Sequence, residues 1–133
     1  MILGVDLASE VPLYQQLRDR VVEAIASGIL PAGSSLPTTR QLASDFGINF
    51  HTVNKAYDLL RQQGLLRLTR KTGATVLRDA HTGPPPPDFL SGWRSRARTL
   101  LAEAVAHGVS EAELLETCES VLATFRAESE DPA

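Results

Sequence analysis

The residues of this chain that could do catalytic or metal chemistry are few and scattered. The sequence has one cysteine, Cys118, and three histidines, His51, His81 and His107, which share no zinc-ligand spacing with one another or with the cysteine. No nucleophile–base pair and no glycine-rich phosphate loop is present. The sequence therefore predicts that the chain is not an enzyme and holds neither a metal ion nor a cofactor.

Charge is distributed unevenly along the 133 residues. With 13 Lys and Arg against 16 Asp and Glu, the net charge is −3, a sign that by itself argues mildly against a nucleic-acid partner. Residues 1–80 nevertheless carry +2 and residues 81–133 carry −5. Residues 33–78 hold seven Lys or Arg and two Asp, a local charge of +5. This segment has the positive excess that a surface facing DNA phosphates requires.

The sequence also limits where the chain works. No apolar run approaches the roughly 18–20 residues of a membrane span, and the N-terminus lacks the basic and apolar regions of a secretory signal. A single cysteine, Cys118, cannot form an intrachain disulfide and fits a reducing compartment. We therefore predict a cytoplasmic protein with no membrane partner.

Four consecutive prolines, Pro84–Pro87, divide the chain. Such a run fits neither a helix interior nor a sheet ladder and favours a semi-rigid polyproline spacer. The predicted organisation is a first unit of residues 1–80, a proline-rich linker of residues 81–87 and a second unit of residues 88–133.

The first unit begins with two predicted helices. Apolar residues recur at helical spacing over residues 13–25, and Pro12 suits the first turn. A second, short helix is predicted over Thr39–Phe46, with a threonine cap at its start and Gly47 at its end.

A third helix and a hairpin complete the first unit. Asn49 is a suitable cap for a helix running to about Gln63, and residues 65–69 and 74–77 have the composition of two short strands. A short helix, a turn and a longer helix make a helix-turn-helix, and the hairpin makes it winged. The third helix would then fit the major groove, so the fold class is mainly α with a small β-hairpin.

The second unit is predicted to be a pair of helices with facing apolar stripes, separated at Gly108. Ser110 and Glu113 form a capping-box pattern at the start of the second helix. Because so short a pair cannot bury enough surface alone, we predict that it dimerises with a second copy. The predicted dimerisation residues are Phe89, Trp93, Leu100, Leu114, Cys118, Val121 and Phe125. In this interpretation the Trp93 stripe is core rather than a ligand pocket, and Cys118 is a buried small hydrophobe.

Three arginines, Arg94, Arg96 and Arg98, open the second unit's first helix, where a cation opposes the helix dipole. They either pair with the acidic residues Glu111–Glu119 within or between subunits, extend a DNA footprint, or bind an anionic ligand.

Most of residues 12–77 resembles the GntR family of bacterial transcription regulators. The likeness lies in the segments Pro12–Leu17, Gly28–Ala43, Gly47–Tyr57, Gly64–Leu66 and Gly73–Val76. The short helical second unit resembles the YtrA subfamily, and the chain length argues against the larger C-terminal domains of other members. The resemblance implies a homodimeric repressor that binds an inverted-repeat operator in double-stranded DNA. A small-molecule effector bound between the C-terminal helices is the alternative.

The resemblance also assigns DNA-contacting residues. Arg40 matches a backbone-contacting arginine, the residues after Asn49 open the recognition helix, and Arg70 and Lys71 occupy the wing tip. The full set of predicted DNA-binding residues is Thr38, Thr39, Arg40, Asn49, Phe50, His51, Thr52, Asn54, Lys55, Arg70, Lys71, Thr72 and Gly73.

Several of these positions have an alternative structural explanation. Many family members have arginine at the positions of Phe50 and Asn54, which are uncharged here. Phe50 either packs or contacts a thymine methyl group, and Asn49 either caps its helix or also contacts DNA. Lys55 lies on a solvated face or contacts a phosphate.

Overall fold

The computed structural model of the chain describes residues 4–69 and 73–129. Within these residues the chain forms five helices and three strands. In order they are α1 (Leu13–Ala26), β1 (Ser35–Leu36), α2 (Thr39–Phe46), α3 (Phe50–Gln62), β2 (Leu66–Thr69), β3 (Gly73–Val76), α4 (Phe89–Ala106) and α5 (Glu111–Ser129). The predicted order of three helices, a wing and two further helices is confirmed.

Helix α1 supplies one side of the core. Pro12 is its N-cap residue, one position earlier than predicted, with a φ of −55°. Leu17, Val21 and Ile25 are buried at helical spacing, and the helix ends at Ser27. The apolar periodicity of the sequence therefore identified this helix correctly.

The two helices of the helix-turn-helix are capped as predicted. The Thr38 hydroxyl accepts a hydrogen bond from the Gln41 amide at 3.1 Å, and the Asn49 side-chain oxygen accepts one from the His51 amide at 2.8 Å. Gly47 ends α2 in the left-handed region at φ +64°. These local interactions define where both helices begin, because each satisfies a free amide of a first turn.

The sheet has three strands, one more than the predicted hairpin. β3 lies in the centre and pairs antiparallel with both β1 and β2. Ser35 and Leu36 of β1 lie opposite Thr75 and Ala74 of β3. Since β1 has only two residues, it has no alternating pattern by which it could be recognised.

Gly73 is where β3 meets β1 most closely. Its φ is +86°, and a Cβ atom there would lie 2.3 Å from the carbonyl oxygen of Leu36 and within 3 Å of Pro37. Any side chain would therefore force β3 away from β1 and strain the backbone.

We expect Gly73→Ala to lower the free energy of unfolding by more than the 1–3 kcal/mol typical of a strained backbone position, since a steric clash adds to the strain. Gly33→Ala is the matched control, because Gly33 has a φ of +93° with no heavy atom within 4 Å of the Cβ position. Urea unfolding of both variants checks this. If both variants lost the same free energy of unfolding, the close approach of β3 to β1 at Gly73 would add nothing to the cost of the substitution.

The core lies between α1, α3 and the sheet, with α2 packed against α3. Tyr57 of α3 is 1% exposed, and burial raises the pKa of its phenol. Its hydroxyl donates a hydrogen bond of 2.8 Å to the carbonyl oxygen of Pro37. This bond ties the middle of α3 to the segment that joins β1 to α2.

The start of the linker is attached to the first unit. Asp79 accepts hydrogen bonds of 2.8 Å from the amides of Ala32 and His81 and from the Thr82 hydroxyl. These bonds lower the pKa of Asp79 to about 2, the Ala32 amide contributing most. Arg78 donates to the Pro84 carbonyl at 2.8 Å. The linker is thus held along its first half.

The depressed pKa of Asp79 predicts a pH dependence. A carboxylate whose pKa falls from about 3.9 in the unfolded chain to about 2 stabilises the folded state above about pH 4, and this stabilisation is lost as the pH falls toward 2. Asp79→Asn should therefore be less stable than the wild type at pH 7, with a difference that shrinks between pH 4 and pH 2. Urea midpoints measured across this range test it.

Helices α4 and α5 leave their apolar stripes largely exposed. No residue of α4 is buried. In α4 and in residues 111–126 of α5, whose side chains are described, only Ala97, Ala104, Leu114 and Phe125 are half-buried. Cys118 is exposed in the single chain, so its predicted burial in the interface of a dimer stays a prediction. The two helices contact each other, and α5 also contacts α1, but neither covers the other's apolar face.

The predicted cap at the start of α5 is confirmed. The Ser110 hydroxyl accepts a hydrogen bond from the Glu113 amide at 3.2 Å, which satisfies a free amide of the first turn. At the end of α4, His107 Nδ1 lies 2.8 Å from the carbonyl oxygen of Glu103, which also accepts a hydrogen bond from the His107 amide.

Candidate nucleic-acid interface

The N-terminal ends of α2 and α3 and the base of the wing form one continuous surface. Thr38, Thr39, Asn54, Tyr57, Leu68, Thr69 and Gly73 line a cleft of about 240 Å³ between these elements. Thr38 and Thr39 come from the start of α2, Asn54 from the second turn of α3, and the last three from β2 and β3. The structure thus brings together predicted DNA-binding residues from three separate segments of the sequence.

Arg40, the second residue of α2, lies beside the first residue of α3. Its side chain is exposed, and its guanidinium carbon lies 4.9 Å from the centre of the Phe50 ring. Among the described residues it has no carboxylate within ion-pair distance. Its charge is therefore available to an anionic partner.

The first turn of α3 presents aromatic and polar side chains. The Phe50 ring is half-buried against the core, and its centre lies 4.4 Å from that of the His51 ring. His51 itself is exposed. The side-chain oxygen of Asn49 is occupied by capping, so its amide nitrogen is the group left to reach a partner.

The remaining positive charges of residues 33–78 differ in availability. Arg61 is paired with Asp58 at 2.7 Å, and the hydrogen bond from Arg61 lowers the pKa of Asp58. The Lys55 ammonium lies 4.0 Å from the centre of the Tyr14 ring of α1. The positive charge of Arg40 is thus less neutralised than that of Arg61 near the end of α3.

The wing is described only in part. Arg70, Lys71 and Thr72 lie outside the described residues, so their predicted DNA contacts stay predictions. Gly73 is buried at the base of the wing, where it allows the close approach of β3 to β1. The predicted DNA contacts of Gly73 and Thr52 also stay predictions.

Sequence reasoning missed two contacts within this surface. The stacking of Arg40 on Phe50 and that of Lys55 on Tyr14 both join residues of different helices. Phe50 and Tyr14 were identifiable as aromatic residues near helix starts, but no local pattern indicates which cation each ring meets.

The described residues have neither a membrane-spanning helix nor a cluster of metal ligands. In residues 4–69 and 73–129 no helix combines the length and apolar character needed to cross a bilayer. The same residues include no group of three or more His, Cys, Asp or Glu side chains arranged to hold a metal ion.

Known proteins are similar to this chain in sequence and in fold. The family profile "Bacterial regulatory proteins, gntR family" matches residues 13–76. The solved structure of YtrA from Sulfolobus acidocaldarius, a GntR-family transcription factor, is 35% identical to this chain, with a TM-score of 0.61. The match covers 80% of this chain and 99% of that structure. The chain belongs to the GntR family.

Two bacterial regulators are also similar in sequence to this GntR-family chain. An HTH-type transcriptional regulator of Mycobacterium tuberculosis is 36% identical over 57% of this chain and 63% of its own length. The HTH-type transcriptional repressor YtrA of Bacillus subtilis is 32% identical over 61% of this chain and 62% of its own length. The chain thus spans less than two thirds of these two regulators.

A second solved structure shows that the likeness of fold includes the C-terminal helices. A transcriptional antiterminator from Listeria monocytogenes has a TM-score of 0.81, covering 92% of this chain and 93% of that one. At 22% identity this match concerns the fold alone. The arrangement of a winged helix followed by two helices is therefore shared with a known structure.

Proposed function

We propose that this chain is a sequence-specific DNA-binding transcriptional regulator, which acts as a repressor on an inverted-repeat operator. The observation that carries the proposal is the unpaired Arg40 beside the exposed start of α3 in a winged helix-turn-helix. Helix N-termini favour anions, because their amides and dipole point outward. The name of the Bacillus subtilis relative, a transcriptional repressor, supports the direction of regulation.

The residues of this surface divide into two roles. Arg40, on the first turn of α2, is suited to a phosphate contact that fixes register, since such contacts carry no base information. His51 and the amide of Asn49, exposed at the start of α3, are suited to the edges of bases in the major groove. Phe50 is half-buried and is less available for direct reading.

The division of roles predicts different effects of two substitutions. Arg40→Ala should weaken binding to all DNA sequences alike and reduce the salt dependence by about one phosphate contact. His51→Ala should instead alter sequence preference, by about 1–3 kcal/mol at the base it contacts. Fluorescence anisotropy with the promoter region upstream of its own gene, at several salt concentrations, measures both.

Arg20→Ala is the control for this experiment, because Arg20 is an exposed arginine on α1 whose charge is paired with Glu23 at 2.6 Å. It should bind like the wild type. If Arg40→Ala and His51→Ala both left affinity and preference unchanged at matched salt, the assignment of this surface would be wrong. A wild-type chain with no salt-dependent affinity for any DNA would instead indicate a protein-binding adaptor.

The exposed apolar faces of α4 and α5 support a homodimer. Leu100 is 68% exposed and Leu122 is 59% exposed, and α4 has no buried residue along its 18 positions. Helices of this kind depend on packing of an apolar face for their stability, and exposed faces of this extent mark interaction sites. A second copy of the chain offers the same surface and is the proposed partner.

Charge complementarity supports the same partner. Arg94 and Arg98 lie one turn apart on an exposed face of α4 that also carries Trp93, Ala97, Leu101, Ala102 and Val105. Among the described residues none of the arginines of α4 forms an ion pair. The exposed carboxylates of α5, including Glu116 and Glu119, have the opposite sign. Pairing of α4 with α5 of the other copy would match both apolar faces and charges.

Substitution of one exposed leucine tests the homodimer. Leu100→Glu should convert a dimer to a monomer, since a carboxylate would be buried in the interface, while the thermal transition of the first unit should persist. Thr99→Glu, with the same added charge at the preceding position of α4, should remain dimeric. Sedimentation velocity at micromolar concentrations distinguishes the two. A wild-type chain that is monomeric under these conditions would contradict the proposal.

Arg94 and Arg98, which form no ion pair with a described residue, also support a second candidate function, a switch that responds to an anionic small molecule. All the residues around them lie on one exposed face of α4, so a ligand pocket would form there only against a second copy of the chain. A ligand held there would alter the spacing of the two DNA-binding units of a dimer. Thermal-shift screening with carboxylate and phosphate metabolites tests this function, and Arg94→Gln with Arg98→Gln should abolish any shift.

A further inference from the structure

The position of Arg40 needs a physical explanation. As the second residue of α2 it lies at the positive end of the helix dipole, where a cation is disfavoured. No described carboxylate pairs with it. A long, flexible side chain in this place would sample many rotamers, and fixing one of them opposes binding.

The ring of Phe50 gives the Arg40 guanidinium an attractive contact, which no described carboxylate provides. The guanidinium carbon of Arg40 lies 4.9 Å from the centre of this ring, within the range of a cation–π contact. Phe50 is the first residue of α3, and its ring packs against the core. The ring is therefore fixed by the fold, and Arg40, which forms no ion pair with a described residue, lies against it.

We propose that Phe50 is a positioning residue, whose ring holds the Arg40 guanidinium beside the start of α3 in the orientation that meets a DNA phosphate. This inference rests on the proposed DNA-binding function and assigns a role to Phe50 within it. Phe50 acts through Arg40 and reads no base. An uncharged aromatic residue thus contributes to an electrostatic contact, because it orders the charge before DNA arrives.

A double-mutant cycle tests the dependence of Phe50 on Arg40. Phe50→Leu keeps an apolar side chain but removes the ring, and should weaken operator binding by about two- to fivefold, the range of an exposed cation–π contact. Phe50→Tyr keeps the ring and should bind like the wild type. In an Arg40→Ala background, Phe50→Leu should have no further effect on affinity.

The other roles of Phe50 give different outcomes. If Phe50 contacted a thymine methyl group, Phe50→Leu would weaken binding in both backgrounds and only at sites with that thymine, which would overturn the proposal. If Phe50 only packed, Phe50→Leu would lower the unfolding temperature and leave the affinity of the folded protein unchanged, which would also overturn it. All affinities are measured well below the lowest unfolding temperature of the set.

An NMR measurement without DNA separates this inference from the proposed function. The ring should shift the Arg40 side-chain resonances upfield in the wild type and in Phe50→Tyr, but not in Phe50→Leu. Absence of that shift in the wild type, or additive effects in the cycle, would overturn the positioning role alone. A wild-type protein with the shift intact but no affinity for operator DNA would overturn the proposed function, and the positioning role with it.

Discussion

The hydrogen bond from the Tyr57 hydroxyl to the Pro37 carbonyl connects all the elements that form the candidate interface. Pro37 lies between β1 and α2, Tyr57 lies in the middle of α3, and Gly73 at the start of β3 packs against the backbone of Pro37 from the sheet side. One residue thus fixes the start of α2 relative to α3 and to the wing. Because the phenol is buried, loss of this bond would leave the Pro37 carbonyl without its partner in the interior.

This junction explains how a chain of net negative charge presents a positive surface. Of the seven Lys and Arg of residues 33–78, four lie in α2, α3 and β2. Among these four, Arg61 is paired with Asp58 and Lys55 lies against the Tyr14 ring. The fold brings the start of α2 against the start of α3, where Arg40 is exposed and no described carboxylate neutralises it. The outward amides and dipoles of two helix N-termini add to its charge. The −3 of the whole chain therefore says little about this surface, because charges beyond a Debye length are screened.

The features that could be predicted from the sequence are those set by neighbouring residues. Both caps of the helix-turn-helix were identifiable, since Thr38 and Asn49 bond to amides two or three residues away. Strand β1 was not, because its two residues are strands only through pairing with Thr75 and Ala74, roughly forty residues later. Propensity has little influence over so short a strand, and tertiary contacts determine it.

The candidate site follows the same division. The resemblance to the GntR family assigned Arg40, Asn49 and His51 to DNA contact at the start of two helices. The stacking of Arg40 on Phe50 could not be predicted, since it depends on the angle between α2 and α3. The apolar stripe that includes Cys118, which is exposed in the single chain, indicates that a face is covered but not which chain covers it.

The connection between the two units bears on how a dimer would place its recognition helices. If the linker were a free tether, packing of α4 and α5 between copies would leave the spacing of the two α3 helices undefined. Arg78 instead bonds to the Pro84 carbonyl, Asp79 bonds to the amide of Ala32, and α5 contacts α1. The first two contacts hold the segment that leads into the proline run against the DNA-binding unit, and the third joins the helical unit to it. In the proposed homodimer, the packing of α4 and α5 would then set the half-site spacing, which must match whole turns of about 34–36 Å. A molecule that altered this packing would change operator affinity without touching α2 or α3, because the two sites are coupled through these same contacts.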